Sequence, residues 1–300
     1  MDQDRTVQAI AGRCGVTVET GHTMAEFTTI GVGGPVEFVL RPERIASLER
    51  LLGELRAAGH RPLVVGGGAN LIAGPGPFTD PVILTRGIRH GPIFEEERVR
   101  AGCGMALKRL VRGCVAQGLG GLEFAEGIPG TIGGTVFMNA GSYGGQMSDV
   151  VREVTVLDAS GRCRVRTVGP EDFAYRRSPF THEEVIVEAV FQLERADPQR
   201  LQEKIKRIAR DRMRSQPPGE RSAGCIFKNP PGDSAGRLVD ELGLKGLSVG
   251  GASVSKEHGN FIVNRGDASP GDVLALIDRV KSTVLEKSGV SLEEEVIIWN

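Results

Sequence analysis

The sequence predicts an α+β protein with more than one compact unit, and three observations lead to this class. The chain has 300 residues, more than a single hydrophobic core usually organises. Helix and strand patterns are mixed along its first two thirds, without the regular alternation of a parallel βαβ array. A basic helix that ends at the Gln216-Pro-Pro-Gly219 break follows this part, and we place the main domain boundary near 195–197, before that helix.

The first part of the chain combines amphipathic helices with short buried strands. Apolar residues that recur at three and four positions predict helices over 43–58 and about 105–117. Short runs of β-branched and other apolar residues predict strands at 62–65, 82–84 and 99–101.

After residue 150 the pattern changes to strict alternation. The segments 151–157 and 163–168 alternate in this way, with a Ser160-Gly161 turn between them, and they predict a β-hairpin. A further strand is predicted over 185–193.

Beyond the boundary, helices and strands follow one another. Residues 198–213 predict a basic helix. The last helix has a clear start, with Ser269 as its cap, Pro270 in the first position and Asp272 in the first turn. The other predicted elements are a strand at 224–227, a helix at 234–242, a strand at 260–263, the last helix at 271–287 and a strand at 292–298.

Composition and charge exclude several classes of protein. The net charge of −1 gives no case for binding nucleic acid or an anionic membrane. No stretch approaches the roughly 18 apolar residues of a membrane helix, and the polar amino terminus does not resemble a secretory signal. We therefore expect a cytoplasmic monomer that needs no obligate protein partner.

The cysteines and histidines show no metal-ligand pattern. The five cysteines are an odd number, widely spaced and without a C-x-x-C pair, which favours free thiols in a reducing compartment. The five histidines also lack ligand spacing. The sequence therefore predicts no metal site.

Glycine is the informative excess, because the 42 glycines are about twice the usual share. Gly66-Gly67-Gly68 follows a predicted strand, as in a Rossmann turn. That fingerprint needs a third glycine where Leu71 stands, and it needs a following helix. Because 72–77 contains two prolines and two glycines, this segment cannot form that helix.

Two glycine-rich turns in one domain favour a different phosphate-binding cradle. In such a cradle, consecutive backbone amides face a pyrophosphate without obstruction by side chains. The second turn is Gly127-Ile-Pro-Gly-Thr-Ile-Gly-Gly134. The alternative for one such turn is a tight loop that binds nothing, and the presence of two makes the dinucleotide cradle the better interpretation.

Motifs along the chain resemble the UDP-N-acetylenolpyruvoylglucosamine reductases, the MurB family of peptidoglycan precursor synthesis. The resemblance extends from about residue 22 to 298, with the motifs in the family's order. They are Thr28-Thr-Ile-Gly-Val-Gly-Gly-Pro35, Gly66-Gly-Gly-Ala-Asn70, Gly121-Leu-Glu-Phe-Ala-Glu-Gly-Ile-Pro-Gly-Thr-Ile-Gly-Gly134, Met138-Asn-Ala-Gly-Ser-Tyr-Gly144, Tyr175-Arg-Arg-Ser178, Ala223-Gly-Cys-Ile-Phe-Lys-Asn-Pro230 and Leu244-Lys-Gly246.

The resemblance implies a fold and a division of the chain. A two-lobed FAD-binding domain of the vanillyl-alcohol-oxidase (PCMH) type would span 1–195, with lobes of about 1–87 and 88–195. A smaller C-terminal α+β substrate-binding domain would span 196–300, with its last strand packing back on the FAD domain. Because the only two tyrosines, Tyr143 and Tyr175, lie inside motifs, the chain resembles the short subclass that lacks an inserted tyrosine lid.

The implied reaction is an NADPH-dependent, FAD-mediated reduction. It converts UDP-N-acetylglucosamine enolpyruvate to UDP-N-acetylmuramate, so FAD and NADPH are the expected cofactors and the enolpyruvyl sugar nucleotide is the expected substrate. The flavin carries the hydride. The protein must stabilise the developing enolate charge and deliver one proton.

The resemblance assigns these two tasks to three residues. Arg176 can fork onto the enolpyruvyl carboxylate and hold the enolate charge. Cys225 is the proton donor, since the pKa of a free thiol, about 8.5, lies much closer to operating pH than that of a hydroxyl. Glu295 orients Arg176 or helps to polarise the carboxylate. From residue type alone, the alternatives are a surface arginine, a small buried residue and a solvated strand end.

The resemblance also implies the binding residues. Ala69 replaces the family's usual serine, so one phosphate contact is lost while the backbone amides remain. The implied substrate-binding residues are Tyr175, Arg212, Lys228 and Asn229. The implied cofactor-binding residues are Gly66, Gly67, Gly68, Ala69, Asn70, Leu71, Gly127, Ile128, Pro129, Gly130, Thr131, Gly133, Gly134, Asn139, Ala140 and Gly141.

Two other functions stay open at this point. Another FAD-dependent oxidase on the same fold would share the glycine turns but would have no reason for the motifs at 223–230 and 292–296. A non-catalytic flavin- or nucleotide-binding module would need neither Cys225 nor Glu295.

Overall fold

Two sheets organise the larger of two units in a computed structural model, which describes residues 2–300 and the side chains from Thr6 onwards. This unit comprises 37–67, 79–209 and the described residues up to 20. Its four-stranded sheet has the order Thr17–Glu19, Val39–Arg41, Val82–Leu84 and Leu63–Val65, the last three parallel to one another. Its five-stranded antiparallel sheet has the order Cys163–Thr167, Val151–Leu157, Val185–Gln192, Arg98–Gly102 and Ile93–Glu95.

The second unit is built from three separated segments, 21–36, 68–78 and 210–300. Its four-stranded antiparallel sheet has the order Arg221–Cys225, Phe261–Asn264, Ala252–Val254 and Ser248–Val249. Two-stranded pairs join His22–Thr23 to Pro35–Val36, and Ile297–Trp299 in parallel to Leu71–Ala73. Both strands of the last pair lie within this unit, and packing of the last strand on an FAD-binding domain stays a prediction.

Each unit has its own buried cluster of apolar side chains. The two units are therefore not continuous ranges that meet at 195–197. The division into an FAD-binding domain over 1–195 and a substrate-binding domain over 196–300 concerns ligands and stays a prediction.

Two-stranded pairs also join Leu119–Gly120 to Glu194–Arg195 and Gly141–Ser142 to Gly145–Gln146. The α-helices of the described residues are Asp2–Cys14, Ile45–Ala57, Leu107–Ala116, Ile132–Phe137, Pro198–Ser215, Ala235–Glu241 and Pro270–Ser288.

The predicted hairpin after residue 150 is confirmed, and its turn is held by one carboxylate. Asp158 accepts hydrogen bonds from the backbone amides of Ser160 and Arg162, at 2.9 and 3.0 Å, and Gly161 takes a positive φ of 80°. Hydrogen bonds from Ser160 and then from Arg164 hold the pKa of Asp158 below its usual value. The Asp-Ala-Ser-Gly sequence thus fixes the register of the two strands.

Two strand predictions in the second unit are wrong in their bounds. The strand expected at 224–227 is Arg221–Cys225, and the strand expected at 292–298 is Ile297–Trp299. The side chains of Glu293 and Glu294 point to different cations, Lys228 and Lys281. This segment therefore makes one isolated bridge, from Glu294 to Phe227, before the strand begins.

The helix Pro270–Ser288 has the predicted cap. The hydroxyl of Ser269 accepts a hydrogen bond from the Asp272 amide at 3.1 Å, and the Asp272 carboxylate accepts one from the Ser269 amide at 2.8 Å. Gly289 ends the helix in the left-handed conformation, with φ 73°.

We predict that Ser269→Ala lowers the free energy of unfolding by about 1 kcal/mol, because the Asp272 amide loses the hydroxyl that accepts its hydrogen bond. Urea unfolding followed by circular dichroism measures the change. Ser291→Ala, at an exposed position outside the helix, is the matched control. Equal stability of the two variants would contradict the cap's role.

Candidate functional site

The first glycine turn leaves the strand Leu63–Val65 and is held by an arginine. The Arg86 guanidinium donates from Nε to the carbonyl of Gly66 at 3.0 Å and from Nη2 to the carbonyl of Gly67 at 2.6 Å. Arg86 itself follows the neighbouring parallel strand Val82–Leu84. These two hydrogen bonds therefore hold the carbonyls of Gly66 and Gly67 towards Arg86.

The two predicted glycine turns contact each other through bare backbone. A Cβ on Gly67 would lie 2.6 Å from the Cα of Gly130, and one on Gly66 would lie 2.5 Å from the Oγ1 of Thr131. Real side chains do not tolerate such distances, so glycine is required at both positions. The pairing that the sequence analysis inferred from composition is thus a direct packing contact.

The second turn is fixed to the rest of its unit by backbone hydrogen bonds. The carbonyl of Gly130 accepts from the Leu107 amide at 3.1 Å, and the amide of Ile132 donates to the Met105 carbonyl at 3.0 Å. A Cβ on Gly133 would lie 2.9 Å from the Cβ of Cys103. The turn is therefore rigid before any ligand binds.

These turns fit the cofactor that the resemblance implies. The hydroxyl of Thr131 is buried and has no hydrogen-bond partner among the described residues. In the same part of the chain, the amides of Gly67, Gly68 and Ala69 donate to no protein acceptor. A polar ligand with phosphate oxygens would satisfy these donors.

The side chain of Asn139, an expected cofactor-binding residue, is occupied by the protein. Its amide nitrogen donates to the side chain of Gln146 at 3.2 Å and to the carbonyl of Ala174 at 3.0 Å, and its oxygen accepts from the Ser148 amide at 3.0 Å. Asn139 is fully buried. Its contacts position the turn that carries Arg176, and cofactor binding through its backbone stays a prediction.

Arg176 occupies a tight turn in an unusual backbone conformation. Ala174 and Arg177 exchange backbone hydrogen bonds of 2.9 and 3.0 Å, and Arg176 between them has a φ of 56°. Such a φ costs a non-glycine residue about 1–2 kcal/mol. Its guanidinium donates to the carbonyl of Gly141 at 2.9 Å and lies 5.0 Å from the ring centroid of the half-exposed Tyr175.

Cys225 and Glu295 are brought together in the second unit. Cys225 is half-buried and ends its strand, and the carbonyl of the next residue, Ile226, accepts from the Glu295 amide at 2.8 Å. Asn260 fixes the following residue, Phe227, by accepting from its amide at 2.8 Å and donating to its carbonyl at 2.7 Å. A backbone hydrogen bond thus joins two segments that are far apart in sequence and that carry Cys225 and Glu295.

Asn70, at the end of the first glycine turn, holds the other side of the Glu295 segment. Its side-chain amide donates to the Glu295 carbonyl at 3.0 Å, and its own carbonyl accepts from the Ile297 amide at 3.0 Å. The backbone of Glu295 is therefore fastened both to the Cys225 strand and to the glycine turn.

The expected substrate-binding residues of this unit have partners of their own. Lys228 forms an ion pair with Glu293, and the Asn229 side-chain oxygen accepts from the Ala235 amide at 3.1 Å. Arg212 donates to the Gln216 side chain at 3.2 Å. The Lys228 ammonium is thus directed to a carboxylate.

Arg86 is the residue that the sequence analysis missed. The sequence offered one clue, since Arg86 lies two residues after the predicted strand 82–84. The carboxyl ends of parallel strands meet at one edge of a sheet, so this position can lie near the turn that follows 63–65. Sequence pattern alone did not show that 82–84 pairs with 63–65.

In the described part of the chain, no three His, Cys, Asp or Glu residues are arranged to hold a metal ion. No described helix has the length and hydrophobicity to span a membrane.

Two family models match the chain. Residues 216–299 match the C-terminal domain of UDP-N-acetylenolpyruvoylglucosamine reductase, and residues 36–166 match an FAD binding domain. The UDP-N-acetylenolpyruvoylglucosamine reductase of Alkalilimnicola ehrlichii is 45% identical over 278 residues, 92% of each chain. That of Geobacter sulfurreducens is 42% identical over 277 residues, also 92% of each chain.

Solved structures agree with these matches. The crystal structure of UDP-N-acetylenolpyruvylglucosamine reductase (MurB) from Thermus caldophilus superposes with a TM-score of 0.79 and 36% identity, over 95% of this chain and 99% of that one. A glucose oxidase variant of Phl p 4 superposes with a TM-score of 0.51 and 16% identity, over 66% of this chain and 45% of that one. The second likeness concerns the fold alone.

His258 lies behind the Cys225 motif as a neutral hydrogen-bond acceptor. Its Nδ1 accepts from the Asn260 amide at 3.1 Å, and its ring lies 4.8 Å from that of Phe261. Burial, and then the charge of Lys245, lower its pKa below 6.5. Protonation of the folded ring would cost the hydrogen bond to Asn260.

We predict that this histidine makes stability depend on pH. Because the unfolded chain binds the proton more readily, stability is fully present above about pH 6.5 and falls as the pH drops from there towards the lowered pKa of the folded state. The urea midpoints of wild type and His258→Gln at pH 8 and pH 5 measure the effect. The wild type should lose more stability than the variant on acidification, and parallel losses would contradict the assignment.

Proposed function

The chain belongs to the UDP-N-acetylenolpyruvoylglucosamine reductase family, and from this premise we propose which of its residues carry out the reaction. It is an FAD-dependent oxidoreductase that uses NADPH to reduce UDP-N-acetylglucosamine enolpyruvate to UDP-N-acetylmuramate in peptidoglycan synthesis. Bound FAD supplies the hydride. The observation that carries the residue assignments is the hydrogen bonding of the Glu295 segment to the Cys225 segment.

The proposed FAD site uses the two glycine turns. Gly66–Asn70 and Gly127–Gly134 offer backbone amides to the pyrophosphate, and the buried hydroxyl of Thr131 gains a partner. The other expected cofactor residues, Leu71, Ala140 and Gly141, adjoin these turns or the Arg176 loop.

Arg176 is proposed to hold the negative charge that develops on the enolpyruvyl carboxylate. Its Nη2 is bonded to the Gly141 carbonyl and its plane lies against Tyr175, so few rotamers are open to it. A fixed guanidinium stabilises growing charge without reorganisation during the reaction. Tyr175, Arg212, Lys228 and Asn229 are proposed to bind the rest of the substrate.

Cys225 is proposed to deliver the proton. Its half-buried position at a strand end distinguishes it from Cys103 and Cys114, where burial raises the pKa to about 12. The donor must be the protonated thiol, and the ammonium of Lys228, three residues further along the chain, is paired with the Glu293 carboxylate. Glu295 is proposed to orient Arg176 or to polarise the carboxylate, and its fixed backbone suits a positioning role.

We further propose that the reaction takes place in the cytoplasm and that the protein acts as a monomer. None of the five cysteines, all of them described residues, is in a disulfide, which fits a reducing compartment. The proposed partner is the sugar nucleotide alone.

An anaerobic titration tests the function. Purified protein should be yellow, should bleach with NADPH and should regain its colour only when the enolpyruvyl sugar nucleotide is added. Recovery with oxygen as the effective acceptor would favour an oxidase, and no response to NADPH would favour a non-catalytic flavin-binding module.

We predict that Cys225→Ala separates the two half-reactions. Reduction of FAD by NADPH should keep its rate, whereas reoxidation by the enolpyruvyl substrate should slow about 10²–10⁴-fold because the proton donor is lost. Stopped-flow absorbance measures both steps. Cys163→Ala, at an exposed cysteine, is the control, and a normal reoxidation rate in Cys225→Ala would remove the role.

A further inference from the structure

Arg86 caps the first glycine turn from the side opposite to its amides. The two hydrogen bonds from one guanidinium, 3.0 Å to Gly66 and 2.6 Å to Gly67, fix consecutive peptide planes. Because each carbonyl and the following amide share one plane and point in opposite directions, the same bonds set the directions of the Gly67 and Gly68 amides.

The hydrogen bonds from Arg86 matter because the turn consists of glycines. A run of three glycines has more backbone freedom to lose than any other tripeptide. A ligand that had to order the turn by itself would bind more weakly by that cost. A turn already tied to Arg86 has lost much of this freedom before the ligand arrives.

The charge of Arg86 acts in the same direction. Among the described residues, no carboxylate forms an ion pair with it, and its side chain is exposed at the turn. Ala69 in the same turn has no side-chain donor, so amides and this cation are what the turn offers to an anion.

We propose that Arg86 is a positioning residue for the cofactor, which pre-organises the amides of Gly67 and Gly68 to bind the FAD pyrophosphate. This inference rests on the proposed function, because it takes FAD as the ligand. It assigns a role to a side chain that need not touch the cofactor.

Direct binding measurements test the proposal. FAD is titrated into the flavin-free full-length chain and followed by flavin fluorescence. Arg86→Ala should raise the dissociation constant at least about tenfold, the size expected for the loss of one charge-assisted hydrogen bond. Arg86→Lys keeps the charge but cannot fork onto two carbonyls, so its affinity should lie nearer to that of the alanine variant.

The chain offers a matched control three residues away. Arg89→Ala removes the same charge from an exposed position and should bind FAD like the wild type. Added guanidinium ion at millimolar concentration should restore part of the affinity of Arg86→Ala and leave Arg86→Lys unchanged. Urea midpoints of the flavin-free proteins show whether each variant is folded.

The outcomes separate this inference from the proposed function. A wild type that takes up no FAD would overturn both. Wild-type affinity in Arg86→Ala, or equal losses in Arg86→Ala and Arg89→Ala, would overturn the role of Arg86 alone. Full affinity in Arg86→Lys would show that charge and not the fork matters, which also contradicts the proposal.

Discussion

The attachment of Asn70 to the Glu295 segment is the interaction on which the second unit depends. The Asn70 side chain donates to the Glu295 carbonyl, 225 positions away, and the Asn70 carbonyl accepts from the Ile297 amide. They begin the parallel pairing of Leu71–Ala73 with Ile297–Trp299. Because the Glu295 amide is also bonded to Ile226, the end of the first glycine turn and the segments that carry Cys225 and Glu295 share one hydrogen-bonded framework.

Local patterns predicted most of the regular elements. The 151–168 hairpin and the helix capped by Ser269 follow from residues that are close in sequence, and the structure has both. The strand expected at 292–298 begins only at Ile297, and the preceding Glu293 and Glu294 pair with Lys228 and Lys281, contacts that a local pattern does not reveal. No local pattern predicted the strand Leu71–Ala73, because its pairing partner is Ile297–Trp299, more than two hundred residues further along the chain.

For the candidate site, too, some features could be predicted from the sequence and others could not. Glycine content pointed to two turns, but only the structure shows that Gly67 and Gly130 pack backbone to backbone. The resemblance supplied Arg176, Cys225 and Glu295, which residue type alone would have assigned to ordinary surface or strand positions. The fork from Arg86 escaped prediction because it depends on which strands are neighbours. The Asn139 side chain bonds to protein atoms, and its expected role in cofactor binding stays a prediction.

The order of synthesis gives the Asn70 attachment a further meaning. Residues 68–78 leave the ribosome more than two hundred residues before the strand with which they pair. Until then, their unit lacks both the parallel partner and most of its apolar core, which comes from 223–296. In a nascent chain the end of the first glycine turn therefore lacks its hydrogen bonds to Glu295 and Ile297 until synthesis is nearly finished. The entropy cost of closing so long a loop makes the pairing of Leu71–Ala73 with Ile297–Trp299 a slow step of folding.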